Sequence, residues 1–217
     1  MKIFVTGFHR AGTHQAGEYF ANKYNIPNLT EDMIRWDSLL AVKILCKGYM
    51  PKWYVKDNKK WGVVSSDQKI GDFVLQCPGL AHKTVQLAQL GSVYWGYRTP
   101  VNLVTAIRNN LPARMLWYTV KGFRLEFPDD PIWEKLDYDG SEDMYYGFVK
   151  YISLLYHIKN YFYNKYFKDY AEKLVLEDQE YYQPGETLTS KRPLKATEYT
   201  RSIEALKHYE SLCVDKA

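Results

Sequence analysis

Cysteine is scarce in this chain of 217 residues: Cys46, Cys77 and Cys213 are odd in number and far apart. That scarcity argues against a disulfide framework and against a paired-cysteine zinc site, and it favours a reducing compartment. A charge of one sign is equally lacking. Lysine and arginine total 29 against 25 acidic residues, a formal +4. Such an excess is too small for a dedicated nucleic-acid clamp, yet it fits one anionic ligand. Apolar runs long enough to cross a bilayer are missing. The opening MKIFVTGFHRAG breaks its short apolar stretch at Gly7, His9 and Arg10, unlike a secretory leader. The expectation is a soluble, cytoplasmic protein with neither a membrane nor a nucleic-acid partner. No internal repeat or low-complexity tract is present.

What is present is ordinary globular material. Apolar residues make up 46% and charged residues 25%, which excludes wholesale disorder. The length suits a single domain, 1–217, with a substantial core. Tyrosine is the outlier, 20 residues beside 6 Trp and 9 Phe. Such side chains serve core and interface alike, so their abundance names no function.

Along the chain, Lys2 to Thr6 reads as a buried strand and Thr13 onward as a helix ended by Ile26-Pro27. Thr30, followed by Glu31 and Asp32, suits the cap and first turn of a second helix, Glu31 to about Cys46. The lysine-rich stretch from Lys43 to Lys60 reads as an exposed connection. WGVVSS (61–66), DFVLQC (72–77), VNLVTAI (101–107) and KLVLED (173–178) are candidate strands. Leu80 to Leu90 and Leu111 to Gly122 are candidate helices, the latter with Pro112 near its start. Phe123 to Gly140, with Pro128 and Pro131, reads as a surface excursion, within a helical and loop region spanning 123–168. Asp143 to Phe167 reads as a long helix. Its stripe of Tyr145, Phe148, Ile152, Leu155 and Ile158 belongs to core or interface rather than to a ligand box. Gln183 to Pro193 is a loop and Glu198 to Cys213 a closing helix. Strands alternating with helices predict an α/β fold, a mainly parallel sheet with helices on both faces.

The segment Thr6-Gly7-Phe8-His9-Arg10-Ala11-Gly12-Thr13-His14 carries the chemistry. A strand, a glycine-bounded loop and a helix start bring backbone N–H groups and a helix dipole onto a phosphate. Gly7 and Gly12 stand where a Walker A loop has its glycines, but Thr13-His14 replaces the Lys-Ser or Lys-Thr pair. The cation lies inside the loop, at Arg10.

GFHRAGTH resembles the 5′-phosphosulfate loop of the sulfotransferases, of the form PKSGTT or PRSGTS. Arg10 takes the place of that family's loop Lys or Arg, and Gly12-Thr13 that of its Gly-Thr or Gly-Ser. His9, Ala11 and His14 replace the proline, the serine and the second hydroxyl residue. LVTAIRNNLPARMLWY (103–118) resembles the family's 3′-phosphate element, a buried strand ending in Arg-Asn/Asp-Pro before a helix. Arg108-Asn109 match and Asn110 replaces the proline. A planar guanidinium suits an oxyanion, so Arg108 is the expected 3′-phosphate ligand, with Arg114 or Thr119 in place of the family's later serine. FVLQCPGLAHK resembles the family's strand followed by Lys-x-Pro, with Gln76 replacing the lysine. KLVLEDQEYY resembles its strand with Tyr-Glu-Asp-Leu, where Glu177 and Asp178 would fix loops. SKRPLKATEY resembles its basic closing loop, with Lys191, Arg192 and Lys195 as candidate contacts.

The resemblance implies a three-layer, P-loop-NTPase-like fold and a sulfotransferase. Such an enzyme takes 3′-phosphoadenosine 5′-phosphosulfate (PAPS) as co-substrate, releases PAP, needs no metal and sulfates a hydroxyl on a small molecule or glycan. Gly7 to His14 would hold the 5′-phosphosulfate, and Arg10 would stabilise charge on the breaking bond. His82, whose imidazole titrates near neutrality, or Glu31 would serve as general base. Two other readings stay open. One is a nucleotide or small-molecule kinase with a variant loop, with Asp67 or Asp178 holding Mg²⁺. The other is a non-catalytic nucleotide-binding protein of the same fold. Trp95, Tyr97, Trp117 and Tyr118 offer stacking surface for an acceptor or belong to the core. Acceptor identity and oligomeric state have no signature in the sequence.

Overall fold

The computed structural model describes residues 1–8, 11–35, 38–56, 60–99, 113–136 and 148–182. The candidate strand at 101–107, the loop at 183–193 and the closing helix at 198–213 lie outside them.

At the centre is β1 (Lys2–Gly7), buried along its length apart from its first residue. A continuous apolar run of this kind marks a strand covered on both faces. Its alternation divides the core in two. Ile3 and Val5 pack with Ala16, Phe20 and Ala21 of α1 (Thr13–Tyr24). Phe4 packs on the other side, in the larger cluster.

Five strands form the sheet: β2 (Asn28–Leu29), β5 (Phe73–Gln76), β1, β6 (Ser92–Tyr97) and β7 (Glu172–Val175), in that spatial order. Every neighbouring pair is parallel, with Phe4 opposite Leu75 on one side and Val93 on the other. The larger cluster is built by α2 (Leu39–Cys46), α3 (Thr84–Ala88), α4 (Ala113–Glu126), α5 (Ile132–Lys135) and α6 (Phe148–Phe162). The expected α/β architecture, a parallel sheet flanked by helices, is therefore present.

Several expected boundaries move. The helix expected over Glu31 to Cys46 is two elements. Residues Glu31–Ile34 form a single 3₁₀ turn, Arg35 turns left-handed at φ +48°, and α2 starts afresh. Its cap is Ser38, whose Oγ accepts from the Ala41 N–H at 3.2 Å; Thr30 makes no side-chain cap.

The exposed connection expected at 43–60 is instead mostly strand. β3 (Tyr49–Lys56) and β4 (Lys60–Lys69) make an antiparallel hairpin apart from the main sheet. WGVVSS is thus a strand, but a hairpin strand, and Val64 is 46% exposed. Trp53 ties the hairpin to the 3₁₀ turn by donating its indole N–H to the Met33 carbonyl at 3.1 Å. Segment 123–136 also departs from the surface excursion expected of it. α4 continues to Glu126, and Phe123, Ile132, Trp133 and Leu136 are buried.

β6 replaces a stretch that carried no expected strand. The long aromatic helix is α6 followed by a π turn at Tyr163–Phe167. Its Leu155 and Ile158 are core, as the periodicity required, and Tyr156 and Phe162 join them. Among the described residues, no helix is long and apolar enough to cross a membrane.

Candidate anion site at the carboxyl edge of the sheet

All strands of the sheet run the same way, so their carboxyl ends share one edge. From β1 the chain builds β5 and β2 on one side, then crosses to β6 and β7 on the other. β1 and β6 therefore flank the reversal in winding, where open α/β sheets leave a crevice for ligands.

The glycine-bounded loop starts at that reversal. Gly7 adopts φ +100°, and a Cβ there would stand 2.5 Å from the Gly96 carbonyl oxygen on β6. Only glycine permits both the conformation and the approach. The Phe8 N–H donates to the Gly96 carbonyl at 2.9 Å, and the Ala11 N–H to the Phe8 carbonyl at 3.3 Å. Gly12, at φ +71°, caps α1, and its carbonyl accepts the first helical bond from Ala16 at 2.9 Å. Thr13 is buried and His14 exposed on the first turn. That turn carries no acidic side chain, so the positive end of the helix dipole is not offset locally. His9 and Arg10 lie outside the described residues.

Phe8 anchors this loop rather than lining it. Its ring is buried against Trp95, Tyr97 and Tyr156, with centroids 6.3, 5.5 and 5.1 Å away. Trp95 is fully buried and also meets Tyr163 and Phe167, so it is core and not stacking surface. Tyr97 is half-buried, and its hydroxyl bonds that of Tyr156. The side chains of Trp117 and Tyr118 lie outside the described residues.

The sequence-level expectations missed the cation under the loop. Lys159 of α6 is fully buried and donates its ammonium to the Gly7 carbonyl. Its Nζ lies 5.8 Å from the Phe8 ring centroid. Burial pushes this amine down from 10.5 to about 7, an effect that the Glu31 carboxylate partly opposes. The signal was legible in ISLLYHIKNYF: helical spacing puts residue 159 on the stripe of Leu155, Tyr156 and Phe162. A lysine on an otherwise apolar face is a buried charge that needs a partner.

Both candidate bases reach the same neighbourhood. Glu31 opens the 3₁₀ turn after β2, is half-buried with its Oε2 shielded from solvent, and acts electrostatically on Lys159 and Cys77. Burial, with Glu31 second, raises the Cys77 thiol well above its usual range. His82 sits in the 3₁₀ segment Pro78–Lys83 after β5 and is 8% exposed. Burial lowers its imidazole to about 4, Lys83 and Lys159 adding to the effect while Glu126 and a backbone bond at Gly79 oppose it. The ring packs on Phe123 and on Gly122, where a Cβ would meet it at 2.8 Å. Its Nδ1 is buried without a hydrogen-bond partner among the described residues.

Gln76, standing where the resemblance expects lysine, ties β5 to β2 by donating to the Asn28 Oδ1 at 2.9 Å. At the end of β6 comes Arg98, 6% exposed, with a guanidinium nitrogen 3.5 Å from the Tyr182 hydroxyl. Thr99 donates both its N–H and its hydroxyl to Glu177, at 3.0 and 2.8 Å. Glu177 therefore fixes a loop, as expected. Arg108, Lys191, Arg192 and Lys195 lie outside the described residues, as does the side chain of Arg114. Thr119 is buried in α4. Asp67 belongs to the separate hairpin, and Asp178 is exposed past β7. Among the described residues no cluster of three or more His, Cys, Asp or Glu side chains is placed to hold a metal ion. Compared with known proteins, the chain matches no family model, no curated protein and no solved structure.

Proposed function

We propose that the chain is a sulfotransferase that moves the sulfuryl group of PAPS to a hydroxyl of a small molecule or glycan, releasing PAP. One observation carries this reading: the Gly7–Gly12 connection leaves the central strand where the sheet's winding reverses. Arg10 lies within that connection. Loop N–H groups, the α1 terminus and Arg10 stabilise negative charge as the bond between sulfur and the bridging oxygen breaks. The acceptor oxygen forms the new bond to sulfur, and its proton passes to a base. Glu31 is the better-supported base, because its carboxylate shares the loop's electrostatic neighbourhood with Lys159; His82 is packed under Gly122.

The 3′-phosphate falls to an arginine at the end of a buried strand. Arg108 keeps that candidacy. Arg98 joins it, because β6 runs beside β1 and is followed by Arg98-Thr99-Pro100, the strand, arginine and proline order expected of this element. Phosphoryl transfer from MgATP is less well supported, since the strands flanking β1 end in Gln76-Cys77 and Tyr97-Arg98, neither of which supplies an acidic residue of its own.

Transfer of radiolabelled sulfate from PAPS to a panel of sugars, phenols and peptides tests the proposal. Label in an acceptor product is expected, and Arg10→Ala lowers its rate on the order of 100-fold or more. Equal turnover of that variant removes Arg10 from the mechanism. The lock of Gln76 onto Asn28, at the position of the family's lysine, favours a second reading: a nucleotide-binding protein without transferase activity. PAP binding with no labelled product in any acceptor selects it.

A further inference from the structure

The peptide between Gly7 and Phe8 is held at both of its polar ends. Its N–H donates to Gly96 on β6, and its carbonyl accepts from Lys159 on α6. Together these bonds fix the peptide through which the chain leaves β1. A neutral donor would also satisfy the carbonyl. An ammonium adds a full charge beside the loop, in an interior where salt screens little.

We infer that Lys159 is the positioning cation of this loop, locking the Gly7–Phe8 peptide and coupling anion binding to proton uptake. The inference rests on the reading of the loop as an anion site and extends it to a residue far away in sequence. An anion seated outside Gly7 favours the charged amine, and by linkage the charged amine favours the anion to the same degree. The amine's fall to about 7 brings this titration into the working range. Glu31 from the 3₁₀ turn acts on it, with Cys77 beside Glu31 and His82 in the segment after β5. The last two are uncharged at neutral pH, the thiol raised and the imidazole lowered by burial. Glu31 is thus the counter-charge, and the exposed His14 stands on the first turn of α1.

Inorganic sulfate is the suitable probe, because it does not titrate between pH 6 and 9. Its affinity for the full chain, followed by calorimetry in buffers of different ionisation enthalpy, is expected to fall by about tenfold in all between pH 6 and 9. Binding is expected to take up a fraction of a proton near pH 7.5. Lys159→Met is expected to bind about tenfold more weakly at pH 6.5 and without pH dependence; Lys159→Arg keeps the affinity and loses the proton uptake. A merely structural lysine predicts either no uptake in the unmodified chain or uptake that His14→Gln abolishes. A flat profile in the unmodified chain overturns the inference while leaving the anion site intact. So does uptake that persists in Lys159→Arg. Absence of sulfate binding in the unmodified chain overturns both.

Discussion

Lys159 and Gly7 are 152 residues apart in sequence and meet in the interior, the ammonium donating to the carbonyl that ends the central strand. A helix of the larger layer is thereby tied to the one turn on which the candidate chemistry depends. The amine is fully buried, so its protonation, the stability of the fold and the shape of the loop are linked.

Stability should rise as pH is raised from 7 to 9. The Lys159 amine titrates at about 7 in the fold and near its ordinary 10.5 when unfolded. Between those values the unfolded chain binds more protons, so raising pH favours the native state. Urea midpoints at pH 7, 8 and 9 should increase in the unmodified chain and increase less in Lys159→Met. Parallel trends in the two would contradict the burial of this amine.

Acid should act through two histidines. His82 and His157 are both lowered from 6.5 to about 4, in each case chiefly by burial. Their contribution is complete above pH 6.5 and is lost as pH falls toward 4, because the unfolded chain takes up those protons first. His157→Gln should flatten the fall in melting temperature between pH 6.5 and 4.5. An unchanged slope would place that imidazole in contact with water.

Gly122 makes room for the His82 ring, since a Cβ there would stand 2.8 Å from it. Gly122→Ala should destabilise the chain by about 1–3 kcal/mol through overpacking. His82→Ala should recover most of that loss in the double variant. Simple additivity of the two changes, read from chemical denaturation, would show that the ring does not fill the space over Gly122.

Gly7→Ala should be worse tolerated than Gly12→Ala. A methyl at Gly7 meets the backbone of Gly96, whereas one at Gly12 meets the Leu176 side chain, which has torsions to yield. Strain of about 1–3 kcal/mol is expected at Gly7 from its conformation alone, with loss of sulfate binding. Equal effects at the two positions in thermal melts would contradict this assignment.

Much of the sheet was legible because β1 and β5 are covered on both faces, and unbroken apolar runs such as KIFVT and FVLQ have few other uses. The start of α1 was legible from Gly12-Thr13, and its end from Pro27. β6 was not, because SVYWGY presents aromatic residues that suit stacking as well as core, and only its pairing with β1 shows Trp95 to be core. The hairpin was hidden by its lysines. Its cue was the alternation around Asp57-Asn58, and Gly62 lies opposite Tyr54, giving room to the ring. The break at Arg35 carries neither Gly nor Pro to announce it, and the turn before it is held from the hairpin by the Trp53 bond to Met33. At the site, glycines advertise a loop through backbone geometry. Lys159 is invisible to motif matching because its partner is a carbonyl from the other end of the chain.

The central claim is that the loop from Gly7 to Thr13 binds the doubly phosphorylated nucleotide of sulfuryl transfer. Calorimetric titration of the full chain with PAP, ADP and MgATP under matched conditions tests it most directly. PAP should bind with one-to-one stoichiometry and more tightly than ADP, the 3′-phosphate supplying the difference, and Mg²⁺ should not improve the binding. Preference for MgATP, or no binding of PAP, would contradict the account.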